Sequence, residues 1–314
     1  MKIVVLYNAP TSSEESDQDT KKSAQLVCDA LNTIPDYSAT LFEINKNNFN
    51  NFEISCDFVF NLIEWTGEEI NFTVGAIERI EKLHLPYSGA RSESLRLNND
   101  KEIMKQRFDD LKINSPRWWT LKNKNDLETF KNAKYPLFVK MLRDHCSIGI
   151  NQNSVKENFD QTKKLDLTNP LLVEEYIDGD EIHVGVLEEN GQPLVLPPIV
   201  MTFKKKPGYW GILTHEVKWG SNWEYEMSTM EVISNQYPVI SEIKEMARKC
   251  FVEFGGRGYS RVDMRYDGKK LYVLEINNNP GLDWDMDNAL AFAASTYGFK
   301  SFSDLLKFIM TNSL

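Results

Sequence analysis

Two apolar stretches on either side of Asp267-Gly268 predict a β-hairpin in the later part of the chain. The second stretch, 271–277, is rich in β-forming residues, yet it carries Glu275 and Asn277 two positions apart and therefore on one face. Asp263 stands in the first stretch. A buried carboxylate is unfavourable unless it is paired or binds a cation, and Mg²⁺ prefers oxygen donors. The pattern therefore predicts a metal site, against the alternative of an exposed hairpin with solvated charges.

The length of the hairpin loop decides whether these three donors meet. A two-residue turn would leave Glu275 on the opposite face from Asp263, because side chains alternate along a strand. A three-residue loop over 267–269 would place Asp263 opposite Val273, with Glu275 as a diagonal neighbour about 7 Å away on the same face. We therefore expect an odd-length loop or a β-bulge in this hairpin.

Residues 1–97 alternate between strand-like and helical patterns, which indicates a parallel sheet. The strands are predicted at 3–7 and 57–61, and the helices around 24–31 and 72–83. A polar loop over 9–19 contains four acidic residues, including Glu15. This loop is either a solvated segment or a site for a cationic amine.

The rest of the chain continues as mixed helix and strand. Asp100 is a suitable N-cap for a helix, and strands are predicted at 135–140, 171–177 and 182–187. Helices are predicted at 241–254, 289–296 and 302–310. A polar stretch over 204–226 is long for a compact domain, which is typical of a functional loop. Lys140 ends an apolar run, where it either reaches solvent or meets phosphates beside the polar turn that follows.

Composition excludes several classes of protein. The 314 residues are 41% hydrophobic and 26% charged, which suits a globular protein of two or three domains. A net charge of -10 argues against a nucleic-acid partner, and the apolar runs are shorter than the ~18 residues of a membrane span. Four dispersed cysteines indicate free thiols in a reducing compartment, so we expect a cytoplasmic protein. The chain contains neither a P-loop nor a serine-hydrolase elbow.

The motifs Arg261-x-Asp263, Glu275-x-Asn277 and Pro280-Gly281 resemble the metal-binding end of the ATP-grasp ligases, in their D-alanine–D-alanine ligase-like branch. Segments 58–62, 67–68 and 85–89 resemble the amino-terminal domain of the same enzymes, whereas 63–65 departs from it. The resemblance implies an α/β (α+β) fold of three parts. These would be an amino-terminal parallel α/β substrate domain at 1–97, a central ATP-grasp subdomain at 98–180, and a carboxy-terminal subdomain with the metal site at 181–314.

The resemblance also assigns roles to single residues. Phosphates would be bound by Lys101, by Lys140, by Ser147 in the covering loop and by Lys218, for which a solvated surface lysine is the alternative. The nucleoside would be bound by Glu174, Glu175, Tyr176, Ile177, Glu181 and Leu274. Catalysis would use Arg261, Lys218 and Ser147, and one or two Mg²⁺ ions, or Mn²⁺, would bind Asp263, Glu275 and Asn277. The covering loop departs from the ligases at His145-Cys146.

The implied activity is an ATP-dependent carboxylate–amine ligase that works through an acyl-phosphate. Its partners would be a small carboxylate and an amine such as an amino acid or short peptide, and the protein would form a homodimer. Substrate contacts are expected from Glu15, Glu68, Asp283 and Asp285. Because carboxylates repel a free carboxylate, Asp283 and Asp285 favour an amine that is cationic, larger than alanine or without an exposed carboxylate at that place, although a solvated acidic helix cap explains these two residues equally well. Two further alternatives are a non-catalytic ATP-binding module and a metal-free hydrolase that uses Asp263 and Glu275 as acid and base.

Overall fold

The structure, a computed structural model, describes residues 1–10, 15–65, 70–143, 147–204, 207–219 and 228–314. Over these ranges the chain forms three β-sheets with flanking helices. This mixed architecture confirms the predicted α/β (α+β) class. None of the helices in these ranges is long and apolar enough to cross a membrane.

The first sheet is parallel, with the strand order β2-β1-β3. Its unit comprises β1 (Lys2–Asn8), α1 (Glu15–Asn32), β2 (Ser38–Ile44), β3 (Phe58–Asn61), α2 (Ile70–Lys82) and α3 (Ser92–Asn98). The central strand β1 and its neighbour β3 are almost entirely buried, as is usual for parallel strands covered on both faces. The parallel sheet is confirmed, and β2 is an additional strand that the sequence pattern did not predict.

The second sheet is antiparallel, with the order β4-β7-β5-β6. Its unit comprises α4 (Lys101–Asp110), β4 (Trp118–Leu121), β5 (Leu137–Met141), β6 (Val155–Lys156), α5 (Phe159–Thr162) and β7 (Leu171–Glu175). Helix α4 begins after Asp100, whose side chain accepts hydrogen bonds from the backbone N–H groups of Glu102 and Ile103, as predicted for an N-cap. This cap fixes the residue at which α4, with its buried lysines, begins.

The third sheet has the order β11-β10-β8-β12-β13, with β9 paired to β8. Its strands are β8 (Asp180–Glu189), β9 (Gln192–Val195), β10 (Ile199–Phe203), β11 (Ser228–Val232), β12 (Tyr259–Tyr266) and β13 (Leu271–Asn277). Its helices are α6 (His215–Trp219), α7 (Ile240–Glu253), α8 (Ala289–Tyr297) and α9 (Phe302–Ser313). The predicted long loop thus contains a short helix, α6.

The β12–β13 hairpin contains the predicted bulge but not the predicted odd-length loop. Tyr266 pairs with Leu271, so the loop has the four residues 267–270, and the register shifts between Asp263 and Met264. The Asp267 side chain accepts hydrogen bonds from the backbone N–H groups at positions 269 and 270, and this favours the longer turn. Asp263 therefore lies directly opposite Glu275 rather than opposite Val273.

Two of the buried cores contain residues from both sides of the predicted boundaries at residues 97 and 180. One core combines β1, α1 and β3 with α8 and α9, so the first unit shares its interior with the last two helices. A second core combines Met104 and Phe108 of α4 with β8, α7, β12 and β13. The division into three domains stays a prediction, and the packing joins its parts in two places.

Leu306→Ala tests the shared core, because Leu306 on α9 is fully buried there. The cavity should lower the free energy of unfolding by about 2–5 kcal/mol in urea denaturation. Leu26→Ala on α1, where the side chain is 42% exposed, is the matched control and should change stability by less than about 0.5 kcal/mol. Equal effects of the two substitutions would contradict the shared core.

Candidate active site

A cleft of about 1250 Å³ is lined by residues of all three units. It gathers most of the predicted site residues, namely Lys101, Lys140, Ser147, Glu174, Glu175, Tyr176, Ile177, Glu181, Lys218, Arg261, Asp263, Leu274, Glu275, Asn277, Asp283 and Asp285. Glu15 begins α1, but its side chain lies outside the described atoms. Glu68 and the His145-Cys146 pair also lie outside the described residues.

The predicted metal ligands meet on one face of β12 and β13. Asp263 pairs directly with Glu275, and Arg261 pairs with Asn277. The Asn277 amide donates a hydrogen bond to Asp263 Oδ2 at 3.2 Å, while Arg261 donates to both oxygens of Asp263 at 2.7 and 2.9 Å. Two carboxylates and an amide oxygen within one strand pair fit a hard cation such as Mg²⁺.

Glu275 is joined to a buried chain of alternating charges. Lys140 Nζ lies 3.3 Å from Glu275 Oε2 and 3.2 Å from Glu174 Oε2, and Lys105 Nζ lies 2.6 Å from Glu174 Oε1. The Lys105 and Glu174 side chains are 1% and 3% exposed. Burial alone would raise the pKa of Glu174, but Lys105 and Lys140 hold it below its ordinary value. The predicted nucleoside residue Glu174 thus lies between two lysines.

Lys105 was missed by the sequence analysis, although a signal was present. It follows Lys101 by four positions, so the two lysines share a face of α4. Both are buried, whereas the neighbouring Ile103 is 45% exposed. Helix α4 therefore directs lysines, rather than a purely apolar stripe, toward the cleft.

Residues of the predicted nucleoside slot surround Arg265, which the sequence analysis also missed. Arg265 donates hydrogen bonds to the backbone carbonyl of Ile177 at 2.7 Å, to Glu181 Oε2 at 2.7 Å and to the carbonyl of Gly211. Its guanidinium lies 5.3 Å from the ring centroid of Tyr176. One side chain thus connects the β7–β8 linker with the loop that leads to α6 and Lys218.

The Glu181 carboxylate is buried and is paired with Arg265 and His183. Although burial opposes ionisation, Arg265 and then His183 lower its pKa to about 2. His183 Nε2 lies 3.3 Å from Glu181 Oε1 and 3.9 Å from Asp263 Oδ1, because β8 pairs these positions with β12. A contact between Glu181 and ribose stays a prediction.

Three carboxylates of the cleft lining, Asp19, Glu64 and Asp283, influence one another. Glu64 follows β3, and its backbone N–H donates to Asn8 Oδ1 at 2.8 Å. The pKa of Glu64 is raised to about 7, chiefly by burial and also by Asp19, while Arg261 and Lys218 partly oppose the rise. Burial also raises the pKa of Asp283, with a contribution from Asp19. Glu64 was missed, although the sequence analysis had marked 63–65 as a departure from the ligases.

Comparisons with known proteins identify a family to which the chain is similar. Residues 103–310 match the family model for the D-ala D-ala ligase C-terminus. The D-alanine–D-alanine ligase of Aquifex aeolicus is 27% identical over 99% of this chain and 100% of its own length, and that of Thermotoga maritima is 29% identical over 88% and 87%.

Solved structures show the same fold. D-alanyl-alanine synthetase A of Vibrio cholerae superposes with a TM-score of 0.79 at 20% identity, covering 99% of this chain and 98% of its own. The D-alanine–D-alanine ligase of Bacillus anthracis in complex with ATP superposes with a TM-score of 0.73 at 21% identity, covering 100% and 97%.

The raised pKa of Glu64 predicts a pH dependence of stability. Its folded pKa of about 7 lies above the ordinary 4.5, so the folded protein binds a proton more tightly than the unfolded chain. The contribution of Glu64 to stability is therefore complete below about pH 4.5 and is lost as the pH rises through 7. Thermal melts should show a smaller loss between pH 5 and 8 for Glu64→Gln than for the parent. Glu189→Gln at an exposed position is the control, and parallel profiles for Glu64→Gln and the parent would contradict this assignment.

Proposed function

Because the chain belongs to the D-alanine–D-alanine ligase family, we propose that it is a ligase that uses ATP to join a carboxylate to an amine through an acyl-phosphate. One observation carries the proposal. Asp263 and Glu275 oppose each other beside Asn277, with Arg261 and Lys140 already paired to the two carboxylates. This set can hold a divalent cation and phosphate groups side by side, as phosphoryl transfer requires.

In the proposed reaction, the substrate carboxylate attacks the γ-phosphate of ATP and releases ADP. The amine nitrogen then attacks the acyl carbon, a C–N bond forms as the bond from this carbon to the phosphate oxygen breaks, phosphate leaves, and the nitrogen gives up a proton. Lys101, Lys140 and Lys218 supply fixed positive charge along the triphosphate, and Arg261 offers a planar fork to the acyl-phosphate or to the tetrahedral oxyanion. Asp263, Glu275 and Asn277 would hold Mg²⁺, which would neutralise phosphate charge.

The ligase proposal is tested by phosphate release from Mg-ATP, screened over pools of amino acids and dipeptides of both chiralities. We expect one pool to stimulate release, and Glu275→Gln to lower it roughly 100-fold or more because a metal ligand is lost. Glu189→Gln is the matched control and should retain the parental rate. Tight ATP binding with no stimulation by any pool would favour a non-catalytic ATP-binding module or a substrate outside the amino acids.

We further propose that the amine carries a positive charge apart from the reacting nitrogen. Asp19, Glu64 and Asp283 come from three separate segments and line the cleft, and the charge of Asp19 raises the pKa of the other two carboxyls. The Tyr259 hydroxyl is buried in the same lining and has no hydrogen-bond partner in the described part of the chain. A cationic group would neutralise the carboxylates and donate to the phenolic oxygen.

Asp283→Asn and Asp285→Asn test the charge of the amine. Asp283 is partly buried and accepts from the Asp285 N–H and the Asn288 amide, whereas Asp285 is exposed. Asp283→Asn should raise the KM for a cationic amine roughly tenfold, about 1.4 kcal/mol, with a smaller effect at Asp285. Steady-state kinetics with cationic and neutral amines measures this, and an unchanged preference in both variants would refute the cationic amine.

A further inference from the structure

Among the ion pairs of the described residues, Lys105 makes the most completely buried one beside the cleft, yet it lies behind the lining rather than in it. Besides lying 5.5 Å from the centroid of the Phe108 ring, its ammonium has hydrogen-bonding partners in two different sheets. One is Glu174 at the end of β7, at 2.6 Å, and the other is the backbone carbonyl of Leu274 in β13, at 2.8 Å. The side chain is 1% exposed, so neither contact is replaced by bulk water.

The contact with Leu274 falls at the irregular position of β13. Met264 pairs with Val273 and Asp263 pairs with Glu275, so Leu274 is the extra residue of the bulge. Strand β13 is also the last strand of its sheet. Its outer edge forms hydrogen bonds with residues of the second unit, which contains α4, instead of with a further strand. There Asn114 accepts from the Val273 N–H at 2.8 Å, and Lys105 donates to the Leu274 carbonyl. Lys105 thus holds the residue whose insertion places Glu275 opposite Asp263.

The contact with Glu174 becomes important once the nucleotide binds. In the structure, Lys140 forms ion pairs with both Glu174 and Glu275. In the proposed reaction Glu275 binds the metal and Lys140 binds phosphate, so Lys140 gives up part of its contact with both carboxylates. A buried carboxylate that loses its cation is strongly destabilising. Lys105 is the second cation within ion-pair distance of Glu174 in the described residues, and it remains there.

We propose, on the premise of the ligase function above, that Lys105 is a positioning residue. It fixes Glu275 opposite Asp263 through Leu274, and it keeps Glu174 neutralised while Lys140 turns to the nucleotide. It touches neither metal nor substrate. Groups that hold metal ligands in this way typically change metal affinity by about 10–100-fold when they are removed.

The first test measures Mn²⁺ binding by electron paramagnetic resonance, with a non-hydrolysable ATP analogue and no other substrate. Lys105→Met should weaken Mn²⁺ binding about 10–100-fold, and Lys105→Arg, which keeps charge and donors, should recover most of it. Lys249→Met is the matched control, because Lys249 donates to the Leu111 carbonyl at 3.1 Å away from the cleft. It should leave Mn²⁺ binding unchanged. Unchanged binding in Lys105→Met would overturn the proposal.

A second pair of variants guards against misfolding of Lys105→Met. Glu174→Gln and the double variant Glu174→Gln/Lys105→Met both lack the Glu174 charge, so neither strands a buried carboxylate. Loss of the Leu274 contact should make the double variant bind Mn²⁺ at least tenfold more weakly than Glu174→Gln. Equal binding by the two would overturn the proposal.

Steady-state kinetics distinguishes a positioning role of Lys105 from a general loss of structure. In Lys105→Met the Mg²⁺ concentration for half-maximal phosphate release should rise at least tenfold, while the KM of the amine stays within about twofold of the parent. Equal rises in the half-maximal Mg²⁺ concentration and in the KM of the amine would overturn the positioning role. Absence of Mn²⁺ binding by the parent protein would instead count against the proposed function itself.

Discussion

Asp263 and Glu275 carry like charges at directly opposed positions of β12 and β13, and such a pair is unfavourable unless cations lie beside it. Arg261 lies beside the first carboxylate and Lys140 beside the second. Because Lys140 is on β5 of another sheet, the pair can form only where two sheets meet. This one electrostatic requirement links three features of the fold: the position of the second sheet, the bulge in β13 and the buried lysines of α4.

The sequence predicted the members of this site better than their geometry. Spacing alone placed Glu275 and Asn277 on one face, and the position of Asp263 led to the prediction of an odd-length loop or a bulge. The facing partner could not be predicted, because the loop length depends on how the Asp267 side chain satisfies the turn. Lys105 was within reach of a sequence argument, since it lies four positions after Lys101 on α4.

Other parts of the site had little or no local signal. Arg265 lies two positions after Asp263 and so on the same face, but its three acceptors come from segments distant in the sequence. Glu64 acquires its raised pKa from burial and from charges on other segments. The class of fold was predictable from alternating patterns. The sharing of cores between units was not predictable, because apolar periodicity shows which face of an element is buried but not which element packs against it.

The shared core has a consequence for how the protein is made. Helices α8 and α9 complete the interior beneath β1, α1 and β3, yet they are synthesised after two further sheets. At a synthesis rate of about 5–20 residues per second, on the order of 10–40 s pass between the synthesis of the first unit and the synthesis of α8 and α9. During that time the part of α1 that packs against α9 is exposed in the nascent chain. Early release would leave this part of α1 exposed, so chaperone binding to the nascent first unit is favoured.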